Sequence, residues 1–547
     1  MRVLILTLGV VGLVVGCAVG AQQSTAPLHP PLLEETPAYA AKQGYDSYRH
    51  TQGGSALEGW ADLVLARNPP RPDGPLLVDR YHATKQPEDS DLGLEDYSYP
   101  RMHGMARAFT PLTEAGVAVE PVTAPWTARR LGGASAVFIN LVSGNNPGFR
   151  WSEVVALDAF VRAGGGLFLV TDHSNCYFHA EMLRPLAERL GFELRPETAA
   201  DQGPGRTLSP STVAWLRMLP VVDHPVTRGV RAFGFMTGGA PRPAGPFVAL
   251  ATTSEQGWAD RWDPWRKPKS AGFTGDLEQQ DDEPSEAVPT VIAGQVGQGR
   301  VVVFGDQNAL GATLIGFEET HRLFANAMGW LIGRDLPVEI RGPASVTTLT
   351  GPRFLCTAAA PYAYRTLQVQ LQRVAGVAGR PEFCTADGPL ASRRLLVLPE
   401  ATRGDLGALL EGAERAAVLL TPGHPAAAWA GLEVSPAEGP AASGFRWLSP
   451  LEGPPHAVFS SATLQETGAV APAAVVGADL EVLAEDTAGR PLVIRTRRGD
   501  TELLLVLDPA LLANARMGNE REKPQEGAPE LAAAHRTALR LMQWLVG

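Results

Sequence analysis

Apolar runs that end on polar residues alternate with segments of helical spacing along most of this 547-residue chain. The stretch GGGLFLVTDHSNCYFHAEML (164–183) illustrates the pattern: a strand candidate over 167–171 is followed by Asp172 and His173, directly before a helix candidate. Further strand candidates read PLLV, ASAVFIN and RVVVF, with helical spacing between them. Continuous apolar strands that alternate with helices are typical of parallel sheets covered on both faces. The sequence therefore predicts an α/β fold built from doubly wound, mostly parallel sheets.

The order of motifs in the first half recurs in the second half. RVVVFGDQNAL followed by HRLFANAMGWLIG matches ELLLVLDPALL followed by HRTALRLMQWLVG. Upstream, ASAVFINLVSG matches SRRLLVLPEAT, and AGGGLFLVTDH matches ERAAVLLTPGH. Agreement at three places in the same order indicates a tandem duplication. We predict one copy over residues 74–335 and a second over 336–547, the second degenerate because it has lost most of the polar residues that follow the strands.

The N-terminus reads as an export signal. Arg2 precedes a continuous apolar run, Val3 to Val15, that is too short for a confident membrane span. The run ends in VVGC, which resembles the bacterial lipobox and makes Cys17 the predicted lipidation site. The alternative is an ordinary secretory signal cut near Ala21. Residues 1–17 are thus the predicted lipoprotein signal and 18–73 a tether and N-terminal segment. Because Ala18 follows the cysteine, analogy with lipoproteins places the anchor in the outer membrane, facing the periplasm.

The charge of the chain argues against one class of partner. The formal net charge is −11, and no basic stripe is present. Since phosphate backbones need concentrated lysine and arginine, we expect no nucleic-acid partner. The expected partners are the membrane, through the lipid anchor, a small-molecule or saccharide ligand, and an envelope protein.

Three phrases of the first half resemble a known superfamily. GGGLFLVTDHSN, HPVTRGV and GQGRVVVFGDQNAL are similar to the class I glutamine amidotransferase-like superfamily, in its non-amidotransferase branches. These branches are the GldG/IFT52-type, DUF4350-type and ThuA-like groups. The resemblance implies flavodoxin-like, class I amidotransferase-like domains, and it is weaker in the second copy.

The chain departs from true amidotransferases where their catalytic triad would stand. Those enzymes place a cysteine on a sharp strand-to-helix elbow, usually Gly-x-Cys-x-Gly, and add a histidine and a glutamate after a later strand. Here Thr171 or Asp172 occupies the elbow, Cys176 lies beyond it, and Gly305-Asp306-Gln307-Asn308 follows the later strand. Glutaminase activity is therefore not expected.

Polar residues follow several predicted strands of the first copy, where the carboxyl ends of parallel strands form ligand sites. The predicted ligand-binding residues are Asp79, His82, Asn140, Asp172, His173 and Asp306. Without Asn140 the same set gives the candidate metal ligands, because carboxylates beside imidazoles can bind a divalent ion or act as an acid–base pair. In an enzyme, Asp172 and His173 would be the catalytic residues.

A purely structural interpretation competes with this site. Aspartates after strands often cap the next helix, and His173 can simply bond a loop carbonyl. Cys176 is expected to be a buried small side chain, and His179 and Glu181, two apart on a helix, point to different faces.

Three functional hypotheses follow. The favoured one is an exported, lipid-anchored protein that binds a small polar or saccharide ligand or assists an envelope or transport system. The second is a metal-assisted or acid–base hydrolase, and the third is a non-catalytic scaffold. No organic cofactor is predicted, and a divalent metal remains open.

Overall fold

The structure is a computed structural model that describes residues 52–83, 104–208, 212–262, 275–312, 314–336, 346–351 and, with interruptions, 364–545. The predicted signal, Cys17 and most of the predicted tether lie outside the described residues. The helices are α1 Gln52–Arg67, α2 Ala106–Glu114, α3 Ala128–Leu131, α4 Trp151–Arg162, α5 His179–Leu190, α6 Thr320–Ile332, α7 Leu406–Glu411 and α8 Pro425–Ala430.

The first half forms one nine-stranded sheet and a small two-stranded sheet. In chain order the strands are β1 Leu76–Asp79, β2 Val119–Val122, β3 Ala136–Ile139, β4 Gly166–Val170, β5 Glu197–Asp201, β6 Trp215–Pro220, β7 Phe233–Met236, β8 Phe247–Thr252, β9 Gly257–Arg261, β10 Pro289–Val296 and β11 Gly299–Phe304. The large sheet has the order β2-β1-β3-β4-β11-β10-β8-β6-β7, and β5 pairs with β9. The pairs from β2 through β11 are parallel. The pairs from β11 through β7 are antiparallel.

The second half repeats this arrangement. Its strands are β12 Val346–Leu349, β13 Pro381–Cys384, β14 Arg394–Val397, β15 Arg415–Leu419, β16 Glu433–Pro436, β17 Gly444–Trp447, β18 Phe459–Ser460, β19 Ala473–Val476, β20 Glu481–Asp486, β21 Pro491–Arg498 and β22 Thr501–Val506. The large sheet runs β13-β12-β14-β15-β22-β21-β20-β17-β18. The change from parallel to antiparallel pairing again falls at the last strand of the unit: β22 is parallel to β15 and antiparallel to β21. The α/β class and the two tandem sheets are confirmed, and the antiparallel half of each sheet is an addition to the prediction. We call the two halves the first and second units.

The strands of the first unit are covered on both faces. Along β4 all five residues are buried, with Leu167 and Leu169 in one apolar core and Phe168 and Val170 in the other. Since side chains alternate across a strand, a strand buried on both faces must be apolar throughout. This explains why GLFLV shows no alternation.

Helix α1 lies within the segment predicted as a tether. Its side chains Leu57, Ala61 and Leu65 are buried in the same core as Trp126 and Trp151. Glu58 accepts a hydrogen bond from Arg189 at 2.8 Å. A folded helix therefore precedes residue 74, while the domain boundaries themselves stay a prediction.

The HPVTRG phrase has a structural role. His224 Nδ1 accepts the Val226 N–H at 3.2 Å and so caps a short 3-10 helix. Asn326 on α6 donates to the carbonyls of Val226 and Arg228. His424 is likewise a helix cap in the second unit, where its Nδ1 accepts the Ala426 N–H at the start of α8. The HPVTRG turn is thus hydrogen-bonded to α6.

A third apolar core joins residues of both halves. Leu208, Met236, Leu314 and Phe317 of the first unit belong to it together with side chains from β12, β14 and β22. Among the described helices, none has the length and apolar character that crossing a membrane requires.

Candidate functional site

Asp79 and His82, at the end of β1, belong to a fully buried ionic network. His82 Nδ1 lies 2.8 Å from Asp79 Oδ2, and His82 Nε2 lies 3.4 Å from Glu153 Oε1 on α4. Trp126 Nε1 donates to Asp79 Oδ2 at 3.0 Å, and its backbone N–H donates to Glu153 Oε1 at 2.7 Å. The imidazole also stacks on Phe149, with ring centroids 4.0 Å apart. Each group in the network is thereby used in contacts within the protein.

The charge state of His82 follows from these neighbours. Burial alone lowers the pKa of an imidazole, but the hydrogen bonds and negative charges of Asp79 and Glu153 outweigh it and raise the pKa of His82 to about 9. His82 is therefore a cation held between two carboxylates. Such an arrangement is a structural ion network, and removing one partner would leave a buried charge uncompensated. Asp79 and His82, both predicted to bind a ligand, contact each other, and they contact Trp126 and Glu153 respectively.

Asp172 and His173 follow β4 and form a second cluster with Cys176. Asp172 Oδ1 accepts the His173 N–H at 2.7 Å and lies 3.7 Å from His173 Nε2. The donor atoms of Asp172, His173 and Cys176 all lie within 4.8 Å of one another. His173 Nδ1 contacts Ser174 Oγ at 3.1 Å, and Ser174 Oγ contacts Thr198 Oγ1 on β5 at 3.3 Å. The pair predicted at the elbow is thus brought together, and a cysteine joins it.

An unusual backbone creates this cluster. Ser174, Tyr177 and Phe178 have φ values of 50°, 55° and 64°, in the left-handed region that non-glycine residues seldom adopt. The turns leave Cys176 buried but expose Tyr177 and Phe178 by 37% and 55%. Left-handed residues cluster at functional sites because the surrounding structure must stabilise them. Two aromatic rings therefore lie at the surface next to buried polar groups.

His179, the first residue of α5, is a structural histidine. Its Nε2 lies 3.3 Å from the backbone N–H of Asp172, and its Nδ1 lies 2.9 Å from the carbonyl oxygen of Cys176. Nε2 must then be the acceptor and Nδ1 the protonated nitrogen. Burial lowers the pKa of His179 to about 4, so the ring is neutral. Although Cys176 Sγ is 3.9 Å from Nδ1, that nitrogen already carries a proton and cannot accept one from the thiol.

Burial also keeps His173 neutral. Burial, followed by the nearby His179, lowers the pKa of His173 to about 3. A neutral imidazole can accept a proton or bind a metal ion, but it provides no cation to generate a Cys176 thiolate.

Asp306, predicted as a ligand, caps local backbone. Its Oδ2 accepts the Met236 N–H of β7 at 2.5 Å, and its Oδ1 accepts the Asn308 N–H at 2.7 Å. Asp79, Asp172 and Asp306 thus have different hydrogen-bonding partners. Asp79 bonds His82 and Trp126, Asp172 bonds the elbow loop, and Asp306 bonds the backbone of Met236 and Asn308.

Buried amide side chains surround the same edge of the sheet. They follow β3, β4 and β11, which are neighbours in the sheet. Asn140 is 1% exposed, and neither its Oδ1 nor its Nδ2 has a hydrogen-bonding partner among the residues that the structure describes. One amide oxygen is likewise unpartnered in each of Asn175, Gln307 and Asn308, all at most 9% exposed. Buried polar atoms normally have partners, so this group requires an explanation.

Sequence reasoning identified only part of this site. Asn140, Asp172 and His173 are predicted site residues, whereas Cys176 is predicted only as a buried small side chain and Asn175, Gln307 and Asn308 have no predicted role. All four stand in the quoted stretches DHSNC and GDQN, within four residues of a predicted site residue. Glu153 and Trp126 gave no signal, because both come from elements far from Asp79 in sequence.

The second unit offers a simpler edge. Thr421 and His424 follow β15, and His424 is buried and caps α8. Burial lowers the pKa of His424. Asp508, which follows β22, is 6% exposed. Counted from the end of each strand, Thr421-Pro422 follows β15 where Asp172-His173 follows β4, so this elbow lacks the aspartate–histidine pair.

Comparison with known proteins finds solved structures that are similar only at low sequence identity. No family model and no curated protein matches the chain. Similar solved structures include the IFT52 N-terminal domain, at 13% identity over 48% of this chain and 100% of that domain, with a TM-score of 0.33. A putative ThuA-like protein from Parabacteroides merdae has 12% identity over 50% of this chain and 94% of that one, with a TM-score of 0.28. A cytoplasmic protein from Salmonella typhimurium LT2 has 12% identity over 47% and 98%, with a TM-score of 0.30.

Proposed function

We propose that the first unit binds a small polar ligand of the saccharide class at the edge formed by the ends of β3, β4 and β11. The observation that carries the proposal is the group of buried, unpartnered amide atoms on Asn140, Asn175, Gln307 and Asn308. Leaving such an atom without a partner costs about 1–3 kcal/mol. A ligand rich in hydroxyl groups can both donate to and accept from amides, and would recover this free energy on binding.

The exposed rings support a sugar over other polar ligands. Tyr177 and Phe178 lie in the loop that contains Asn175, and they present apolar surface beside polar groups. Ligand sites combine aromatic walls with a few placed polar side chains, and a pyranose ring has both an apolar face and a hydroxyl rim. A small inorganic anion would find no cationic side chain among the four amides and the two rings.

The location forms part of the proposal. We propose that the chain is exported and anchored by a lipid on Cys17, on the basis of the VVGC motif after an apolar run. A tethered protein of this kind would present its ligand to an envelope or transport partner. A hydrolase that uses Asp79, His82, Asp172, His173 and Asp306 is less favoured, since Asp79, His82 and Asp306 have internal partners.

Titration calorimetry of the detergent-solubilised full chain against neutral mono- and disaccharides tests the proposal. Asn140→Leu and Gln307→Leu remove hydrogen-bonding atoms at nearly constant size and should each weaken binding about 10- to 100-fold. Asn145→Ala, at an exposed position near the same edge, is the matched control and should bind like the wild type. Absence of saturable binding to any sugar of the panel, or equal affinity in all variants, would refute the proposal.

A further inference from the structure

The elbow loop carries three metal-ligating side chains of different chemistry, and we propose that Asp172, His173 and Cys176 bind a zinc ion. Their donor atoms lie within 4.8 Å of one another, and Asp172 Oδ1 and His173 Nε2 are 3.7 Å apart. Tetrahedral zinc places its ligand atoms about 3.5 Å from each other. The aspartate and histidine are already near that spacing, and the thiol has about an ångström or less to move.

The donor set selects the class of ion. A carboxylate oxygen, an imidazole nitrogen and a thiolate sulfur together suit zinc or a similar borderline ion, whereas magnesium and calcium prefer oxygen ligands alone. Three protein ligands with an open fourth position are typical of zinc that contacts a small molecule. His173, 15% exposed in its side chain, is the ligand through which the cluster reaches solvent.

Hydrogen bonds within the loop and to β5 orient these ligands in the absence of an ion. Ser174 Oγ lies 3.1 Å from His173 Nδ1 and is itself held by Thr198, so Nε2 is the nitrogen directed to Asp172. The His173 N–H fixes Asp172 Oδ1 at 2.7 Å. Hydrogen bonds that hold the second nitrogen of a ligating histidine and the ligating carboxylate are the usual supports of a zinc site.

The loop geometry also excludes the other nearby histidine. Both nitrogens of His179 are engaged, with the Asp172 N–H and the Cys176 carbonyl oxygen. It therefore serves to close the loop that carries the ligands. On binding, Cys176 would release its thiol proton to solvent, so metal uptake liberates a proton.

Titration with zinc and with cobalt tests the site on the full chain, purified in detergent and stripped with a chelator. We expect one equivalent of zinc by elemental analysis and, with cobalt, a thiolate-to-metal charge-transfer absorption in the near ultraviolet. Cys176→Ser should abolish that absorption, and His173→Gln should abolish stoichiometric binding. Ser174→Ala should weaken binding about 10- to 100-fold, as expected for a residue that orients a ligand.

Two controls complete the experiment. Glu181→Gln changes an exposed carboxylate on α5 and Cys384→Ser replaces another cysteine, and both variants should bind zinc like the wild type. Circular dichroism reports whether each variant is folded. If Cys176→Ser does not fold, His173→Gln, which changes the partly exposed ligand, still tests the proposal. Binding below a tenth of an equivalent, or a charge-transfer band that survives in Cys176→Ser, overturns the proposal. Saccharide titration in the presence of chelator tests the proposed function separately.

Discussion

The buried cation His82 makes a quantitative prediction about stability and pH. Its pKa is raised from 6.5 to about 9, and at about 1.36 kcal/mol per pKa unit this shift corresponds to about 3 kcal/mol of stabilisation. Because the folded-state pKa is raised, the stabilisation is fully present below pH 6.5 and is lost as the pH rises through about 9. Between pH 7 and pH 10 the network should lose about 2–3 kcal/mol of stabilisation.

Urea denaturation of the wild type and of His82→Gln at several pH values isolates this contribution. Other groups titrate in both proteins, so the informative quantity is the difference in unfolding free energy. The difference in unfolding free energy between the wild type and His82→Gln should decrease steadily from pH 7 to pH 10. His224→Gln is the matched control, since burial lowers the pKa of His224 and leaves it neutral over this range; its difference should stay flat. If His82→Gln does not fold, the NMR titration of His82 in the wild type gives its pKa directly. A His82 pKa below 7, or a pH-independent difference, would refute the reasoning.

Three further predictions concern the edge of the first unit and the anchor. Without ligand, Asn140→Leu should leave unfolding unchanged or stabilise the fold by about 1 kcal/mol, because it removes unpartnered buried polar atoms; urea denaturation will show the opposite sign if the amide is structural. Gly239→Ala should lower the melting temperature, since its Cβ would lie 2.3 Å from the Asp172 carbonyl oxygen. Cys17→Ser should abolish incorporation of labelled palmitate in the expressing bacterium, and retained label would exclude this anchor.

Much of the fold could be predicted from the sequence because its strands are apolar on both faces. GLFLV and RVVVF predict strands that are buried on both faces of a sheet. The bounds of these predicted strands lie within two residues of those of β4 and β11. The strands β6 and β7 were harder to recognise. WLRMLP mixes buried and half-buried positions, since it lies near the antiparallel edge of the sheet.

The candidate site was less predictable, for reasons of geometry. Asp172 and His173 adjoin a strand end and could be placed by topology alone. Cys176 joins them only because Ser174, Tyr177 and Phe178 adopt left-handed conformations, which these residue types do not favour. The contacts of Asp79 with Trp126 and of His82 with Glu153 could not be predicted, because Trp126 and Glu153 lie far away in sequence.

The most direct test of the central claim is a crystal structure of the full chain grown with a disaccharide that binds in calorimetry. Binding at the sheet edge predicts sugar hydroxyl groups within hydrogen-bonding distance of the Asn140 and Gln307 amides, with a ring against Tyr177 or Phe178. The claim is contradicted if those amides are bonded to protein groups or ordered water while the sugar lies elsewhere.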